Sequence, residues 1–366
     1  MTKKLIIFFE TIAVFFLLAL NPANMNAAEQ PPEIPFIKQW AASAHADSKA
    51  EAFRHWDKDG EVSKRCAQCH SSDGFKDFIG ADGSDKGVVD SPAPTTSTIT
   101  CTTCHNTEAG KLASVTFPSG TVVANAGKSA RCMVCHQGRQ SSPGVDRALG
   151  AMDPDTVSDK LNFLNVHYAQ AGATLWGSAV AGGYQYAGND YQGLASHPEN
   201  VNECTQCHDP HGLNVRIQSC ASCHQTVSDE KSLKNIRTNK TDFDGDGNND
   251  EGIAGEISTM HEALLSAIQV YGKKLGNPIV YDGHSHPYFF IDTNANGVAD
   301  KQEVASANKY KSWTPRLLKA AYNYQYVAKD NGAYAHNPRY AMQLLFDSIN
   351  DLSKINKTGN AVMARP

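Results

Sequence analysis

The sequence predicts a mainly α fold with extensive coil, and three observations lead there. Glycine and proline number 28 and 16 in 366 residues, a composition that suits loops better than a regular sheet or bundle. Three amphipathic helices can be read in the C-terminal third, and little β-sheet is expected. All ten cysteines fall in five copies of C-x-x-C-H between residues 66 and 224, so that stretch is organised by local chemistry.

The N-terminus carries Lys3 and Lys4, then an apolar run from Leu5 to Leu20 broken by Glu10, the pattern of a secretory signal peptide. Small residues at Ala27 and Ala28 place the leader at 1–28, and a run this short with an internal charge argues against a membrane anchor. The expected location is outside the cytoplasm: periplasmic, extracellular or at the cell surface. Net charge is −5, or about −6 without the leader, which disfavours a nucleic-acid partner.

Residues 29–225 carry the five motifs, at Cys66, Cys69 and His70; Cys101, Cys104 and His105; Cys132, Cys135 and His136; Cys204, Cys207 and His208; and Cys220, Cys223 and His224. In C-x-x-C-H each thiol forms a thioether to one porphyrin vinyl group, and the adjacent histidine rises beneath the ring as an iron ligand. Disulfides would need no histidine after every pair, and adjacent Cys and His rarely close one tetrahedral zinc site. Five c-type haems are therefore expected, giving a loop-rich, haem-wrapped core. The motifs start 35, 31, 72 and 16 residues apart, so they form no simple repeat, and the short last interval forces the last two sites together.

The 72-residue interval contains GATLWGSAVAGGYQYAGNDYQG, which lacks helical periodicity. It is expected to be ordered loop and short ribbon, with Gly172, Gly177, Gly182 and Gly183 passing close to a flat ring and Trp176, Tyr184 and Tyr186 at its edge. Residues 226–366 form an EF-hand-like and helical region. Its helices are expected over about 256–272, with Ile257, Met260, Leu264, Leu265 and Ile268 on one face; over about 314–328, opened by Pro315; and from Pro338, with Tyr340, Leu344, Leu345 and Ile349.

Nine histidines lie outside the motifs: His45, His55, His167, His197, His211, His261, His284, His286 and His336. Five would make every iron bis-histidine, and seven methionines including Met1 make His/Met ligation throughout the less economical choice. His211 follows His208 by three residues, so the two cannot grip opposite faces of one ring. It is expected to serve a neighbouring haem near in sequence, as is His197. His336 precedes a proline that opens a helix, and His45 and His167 stand beside small residues that let a ring approach. His55 is the sixth candidate; His261 suits a core histidine equally well, and His284 and His286 suit packing.

Asp292, Asn294, Asn296, Gly297, Asp300 and Glu303 match an EF-hand loop at positions 1, 3, 5, 6, 9 and 12, with the Val298 carbonyl at 7. Calcium is the cation such oxygens take. A second loop begins with Asp242, Asp244, Asp246 and Gly247 and continues through Asn248, but position 12 is Ile253, so Glu251 or Glu256 must close it. Calcium here is expected to be structural.

With AASAHADSKAEAFRHWD before CAQCH, CTQCHDPHGLNV before CASCH, and AYAHNPRYAMQLLFDSI near the end, the chain resembles the multihaem c-type cytochromes of metal-reducing and related anaerobic bacteria. The resemblance implies an exported carrier with mainly bis-histidine haems, His211 and His336 at distal positions, and redox proteins of the cell envelope as partners. Some relatives assemble into conductive filaments, so a filament subunit is one alternative. The HNP sequence and five motifs also resemble the pentahaem nitrite reductases, which makes a reductase of a small oxyanion the other. Those enzymes use C-x-x-C-K at the catalytic haem, whereas all five motifs here end in histidine.

Overall fold

The structure, a computed structural model, describes residues 34–198, 201–357 and 362–366; the leader expected over 1–28 lies outside the described residues. Contacts divide the chain after Ile37, and the fold lies in Lys38–Pro366. Among the described residues no helix is long and apolar enough to cross a membrane.

The motifs sit on short helical turns: Lys64–His70, Cys101–Cys104, Ala130–Met133, Cys204–Cys207 and Ile217–Ala221. Positions three apart on such a turn share a face, which points both cysteines of a pair to one side. Two of these turns carry capping boxes. Thr100 and Thr103 form a reciprocal capping box on the second motif, and Glu203 and Gln206 form another on the fourth.

Three long helices follow, Ile253–Lys274, Pro315–Ala328 and Pro338–Asn356. Pro315 opens the second behind Thr314, whose hydroxyl accepts from the Leu317 amide at 3.2 Å. Pro338 opens the third behind Asn337, whose side chain accepts from the Tyr340 amide at 3.1 Å. Their apolar faces meet in the main core, built from Met260, Leu264, Ile268, Leu317, Leu318, Tyr322, Leu344 and Leu345, all fully buried. A smaller cluster around Phe75, Phe117, Met133 and Val134 lies under the motifs.

Among the described residues sheet is confined to three two-stranded antiparallel ribbons: Glu61–Val62 with Ala93–Pro94, Val115–Thr116 with Val122–Val123, and Ile279–Tyr281 with Phe289–Ile291. The aromatic glycine stretch departs from its expected ribbon. It forms a helical turn, Ala171–Trp176, then a 3₁₀ turn over Gly177–Ala179 and coil. Gly172, Gly177, Gly182 and Gly183 press against protein. A Cβ on Gly183 would lie 2.2 Å from Leu344 Cδ1, and one on Gly182 would lie 2.6 Å from the Tyr326 hydroxyl. They are small because two C-terminal helices need to come close.

Polar side chains complete that contact. Asn323 accepts from the Tyr184 amide at 2.7 Å and donates to the Tyr184 carbonyl at 2.9 Å, while Gln325 accepts from the Val166 amide at 2.9 Å. The second long helix thus fixes the segment that carries His167.

Candidate haem sites

Each of the five motif histidines faces a second histidine. The ring centres are 5.7 Å apart for His70 and His167, 6.0 Å for His105 and His211, and 6.3 Å for His136 and His45. They are 6.4 Å apart for His208 and His336, and 6.2 Å for His224 and His197. The five partners are the five histidines expected as distal ligands. Two imidazoles on opposite sides of one metal, with bonds of about 2 Å and ring centres about 1.2 Å behind each nitrogen, stand roughly 6.4 Å apart. The ring-centre separations of the five pairs, 5.7 to 6.4 Å, come close to that span. His70 Nε2 and His167 Nε2 lie 3.4 Å apart, somewhat closer than the about 4 Å that two such bonds span.

Pairing follows space rather than sequence. His211, expected to serve a site near in sequence, faces His105 of the second motif. A tight turn aims it there: Asp209 accepts from the His211 and Gly212 amides at 2.9 and 2.7 Å. His55 instead bonds Glu51 through Nδ1 at 2.8 Å, and its ring stands edge-on to Trp56. His261 donates from Nε2 to the Tyr324 carbonyl at 2.8 Å and stacks on that ring, so it is a core histidine. His284 and His286 are exposed.

The far ring nitrogens are held. His70 Nδ1 donates to the Ala52 carbonyl at 2.8 Å, His136 Nδ1 to the Ala169 carbonyl at 3.0 Å, and His336 Nδ1 to Asp330 at 2.8 Å. Fixing Nδ1–H selects the tautomer whose Nε2 lone pair is available to a metal, the usual outer-shell arrangement of a ligating histidine. Burial, then His136, lowers His45 to about 4, and burial, then His70, lowers His167 to about 4, so both are neutral at pH 7. His336 differs. Burial pulls it down, but the Asp330 carboxylate outweighs burial and raises it.

Two backbone features escaped sequence reasoning. His167 has φ +74° and Ala169 φ +55°, left-handed conformations that non-glycine residues adopt when surrounding contacts impose them. Here the Asn165 side chain accepts from the His167 amide at 2.9 Å, and the Ala169 amide donates to Lys329. Gly332 is small for a local reason. A Cβ there would lie 2.6 Å from His336 Cε1.

In the loop 292–303, Asp292 accepts from the Gly297 amide at 2.8 Å, with Gly297 at φ +80°, and Glu303 accepts from the Thr293 amide at 2.6 Å. Asp300 accepts from the side-chain amides of Asn294 and Asn296 at 2.7 and 3.0 Å. Turning those amides over would present oxygens to a cation instead. The Val298 side chain is exposed, as a residue contributing only its carbonyl can be.

The loop at 242 has the same frame with a longer spacing. Glu256 accepts from the Phe243 and Asp244 amides at 2.9 and 2.8 Å, as Glu303 does from Thr293, and pairs with Arg237 at 2.5 Å. Carboxylate oxygens of Asp242, Asp244 and Glu256 form one close group, and those of Asp244, Asp246 and Glu251 another. Asp244 Oδ2 and Glu251 Oε1 are buried without a hydrogen-bond partner. Burial raises both carboxyls, Asp244 further through Glu256 and Asp246, and Glu251 through Asp244. Asn248 donates its amide to Asp246 at 2.7 Å.

No family model and no solved structure matches the chain. It is 27% identical over 364 residues to the C-type polyheme cytochrome OmcB of Geobacter sulfurreducens, covering 83% of this chain and 46% of OmcB. It is 29% identical over 242 residues to the C-type polyheme cytochrome OmcC of the same species, covering 60% of this chain and 29% of OmcC. The chain thus spans less than half the length of these relatives. The similarity, with the repeated C-x-x-C-H sequences, supports a multihaem c-type cytochrome.

Proposed function

We propose that the chain is an exported five-haem electron carrier in which every iron is held between two histidines. The observation that carries this reading is the set of five facing imidazole pairs, one for each C-x-x-C-H motif. In it Cys66, Cys69 and His70 act with His167; Cys101, Cys104 and His105 with His211; and Cys132, Cys135 and His136 with His45. Cys204, Cys207 and His208 act with His336, and Cys220, Cys223 and His224 with His197. Bound haem supplies one-electron redox chemistry. The chain's own contribution is to attach the rings covalently, hold both imidazoles in place and leave the irons without an open position. The names of OmcB and OmcC, both polyhaem cytochromes, support an electron-transfer role.

The facing pairs favour a carrier over a reductase, which needs an iron with a free position. The region 29–225 would carry the attachment sites. The region 226–366 would lend His336 and two structural calcium loops, 292–303 and 242–256, with Glu251 supplying the free oxygen in the second. Redox proteins of the cell envelope would be its partners.

The test is the haem-loaded protein. Mass spectrometry should find five covalently attached haems, and His336→Ala should convert one of them from low to high spin. A count below five, or an unchanged spectrum in the variant, would remove the corresponding pair.

A further inference from the structure

The two cysteines of the third motif each face a cysteine of a different motif. The Cys135 side chain lies beside Cys69 of the first motif, and that of Cys132 beside Cys204 of the fourth. The backbone around the first contact is reciprocal. Gln68 donates its side-chain amide to the Val134 carbonyl at 3.0 Å, Cys69 Sγ lies 3.8 Å from the same oxygen, and Cys135 Sγ lies 3.6 Å from the Gln68 carbonyl. At the second contact the Cys204 amide donates to Ser129 Oγ at 2.9 Å, and Cys135 and Cys204 pack against the same apolar cluster.

The other motifs join this centre differently. The second is braced to the first through Ser72, which bonds the Thr98 carbonyl at 2.8 Å and the hydroxyls of Thr100 and Thr103. The fifth is joined to the fourth, where the Arg216 amide donates to the Cys207 carbonyl at 2.7 Å.

From these contacts we infer that the third haem site is the junction of the relay, so that electrons pass from the first site to the fourth through the third, out of chain order. A cysteine sulfur is where the ring edge is fastened, so two touching cysteines bring two ring edges together. The third site has such an edge contact on both of its thioethers. The second site lies beside this line and the fifth at its end. A hop transfers one electron, oxidising the donor iron and reducing the acceptor iron, with no bond or proton exchanged; redox proteins supply and remove the electron.

This inference rests on the five-haem reading, and the two fail differently. A structure of the haem-loaded protein tests the order directly: the third iron should have the first and fourth as nearest neighbours. Five haems with the first and third sites apart would overturn the junction and leave the carrier standing. Missing haems would instead overturn the carrier.

Potentiometry with haem-resolved paramagnetic NMR gives a second readout. Replacing a histidine ligand by methionine raises a haem's potential. His45→Met should therefore make the third haem the first to be reduced and shift the midpoints of the first and fourth, while leaving the fifth unmoved. His197→Met, at the fifth, should shift the fourth and leave the first unmoved. First and fourth midpoints that do not respond to His45→Met would contradict the junction.

Discussion

The C-terminal helices and the motif-bearing region are stabilised by different means. Helices 253–274, 315–328 and 338–356 meet over a continuous apolar core, the latter two with side-chain caps at their N-termini. The five motifs sit on turns of four to seven residues over a smaller cluster, with ribbons two residues long. Such turns are too short to hold themselves, because nucleating a helix costs more than one turn returns. The difference teaches that one region is folded by its side chains, whereas the other, on the five-haem proposal, would be completed by what its cysteines and histidines bind.

The largest effect should come from withholding haem. Protein made without haem attachment should keep slow hydrogen exchange in the three long helices and lose it around residues 64–136 and 204–224. Equal protection throughout would abolish the contrast.

Within the helical region, Leu264→Ala removes a fully buried side chain and should cost about 2–5 kcal/mol, read by denaturant unfolding, with haem spectra unchanged. Arg316 joins Asp155 at 2.7 Å and also pairs with Asp351, which keeps Lys354 at 3.0 Å, so Arg316→Met should cost about 2 kcal/mol, chiefly by leaving Asp155 without its cation. That loss should depend on pH. Arg316 holds the Asp155 carboxyl below its usual value, so its contribution is present above about pH 4 and is lost as pH falls through the lowered value. The gap between wild type and variant should narrow in acid.

At the one histidine that the C-terminal region turns toward a motif, the sign of the contrast reverses. Gly332→Ala should push the His336 ring from its place, producing a high-spin fraction at one haem with a stability change under about 1 kcal/mol. The smallest effect is calcium removal. A chelator should lower the melting temperature by a few degrees without altering haem spectra, and Glu251→Gln should remove part of that response.

Local chemistry was legible in the sequence and long-range geometry was not. C-x-x-C-H is complete within five residues, so the candidate attachment sites could be read directly. Among the five distal candidates, His336, His45 and His167 were legible from turn-forming or small neighbours, and His211 and His197 from their place beside the fourth motif. Their partners were not: His211 meets His105 and His45 meets His136 across long loops, and no periodicity encodes such a pairing. The same reason hid the role of Gly182 and Gly183, which depends on Tyr326 and Leu344 far along the chain. In the loop at 242, spacing left Glu251 and Glu256 equivalent. Burial separates them, since Glu256 is satisfied by two amides and Arg237 while Glu251 keeps a free oxygen.

Electron paramagnetic resonance of the oxidised, haem-loaded protein tests the central claim most directly. Five low-spin bis-histidine irons, unchanged by added nitrite, are the predicted result. A persistent high-spin iron whose signal shifts with nitrite would contradict it.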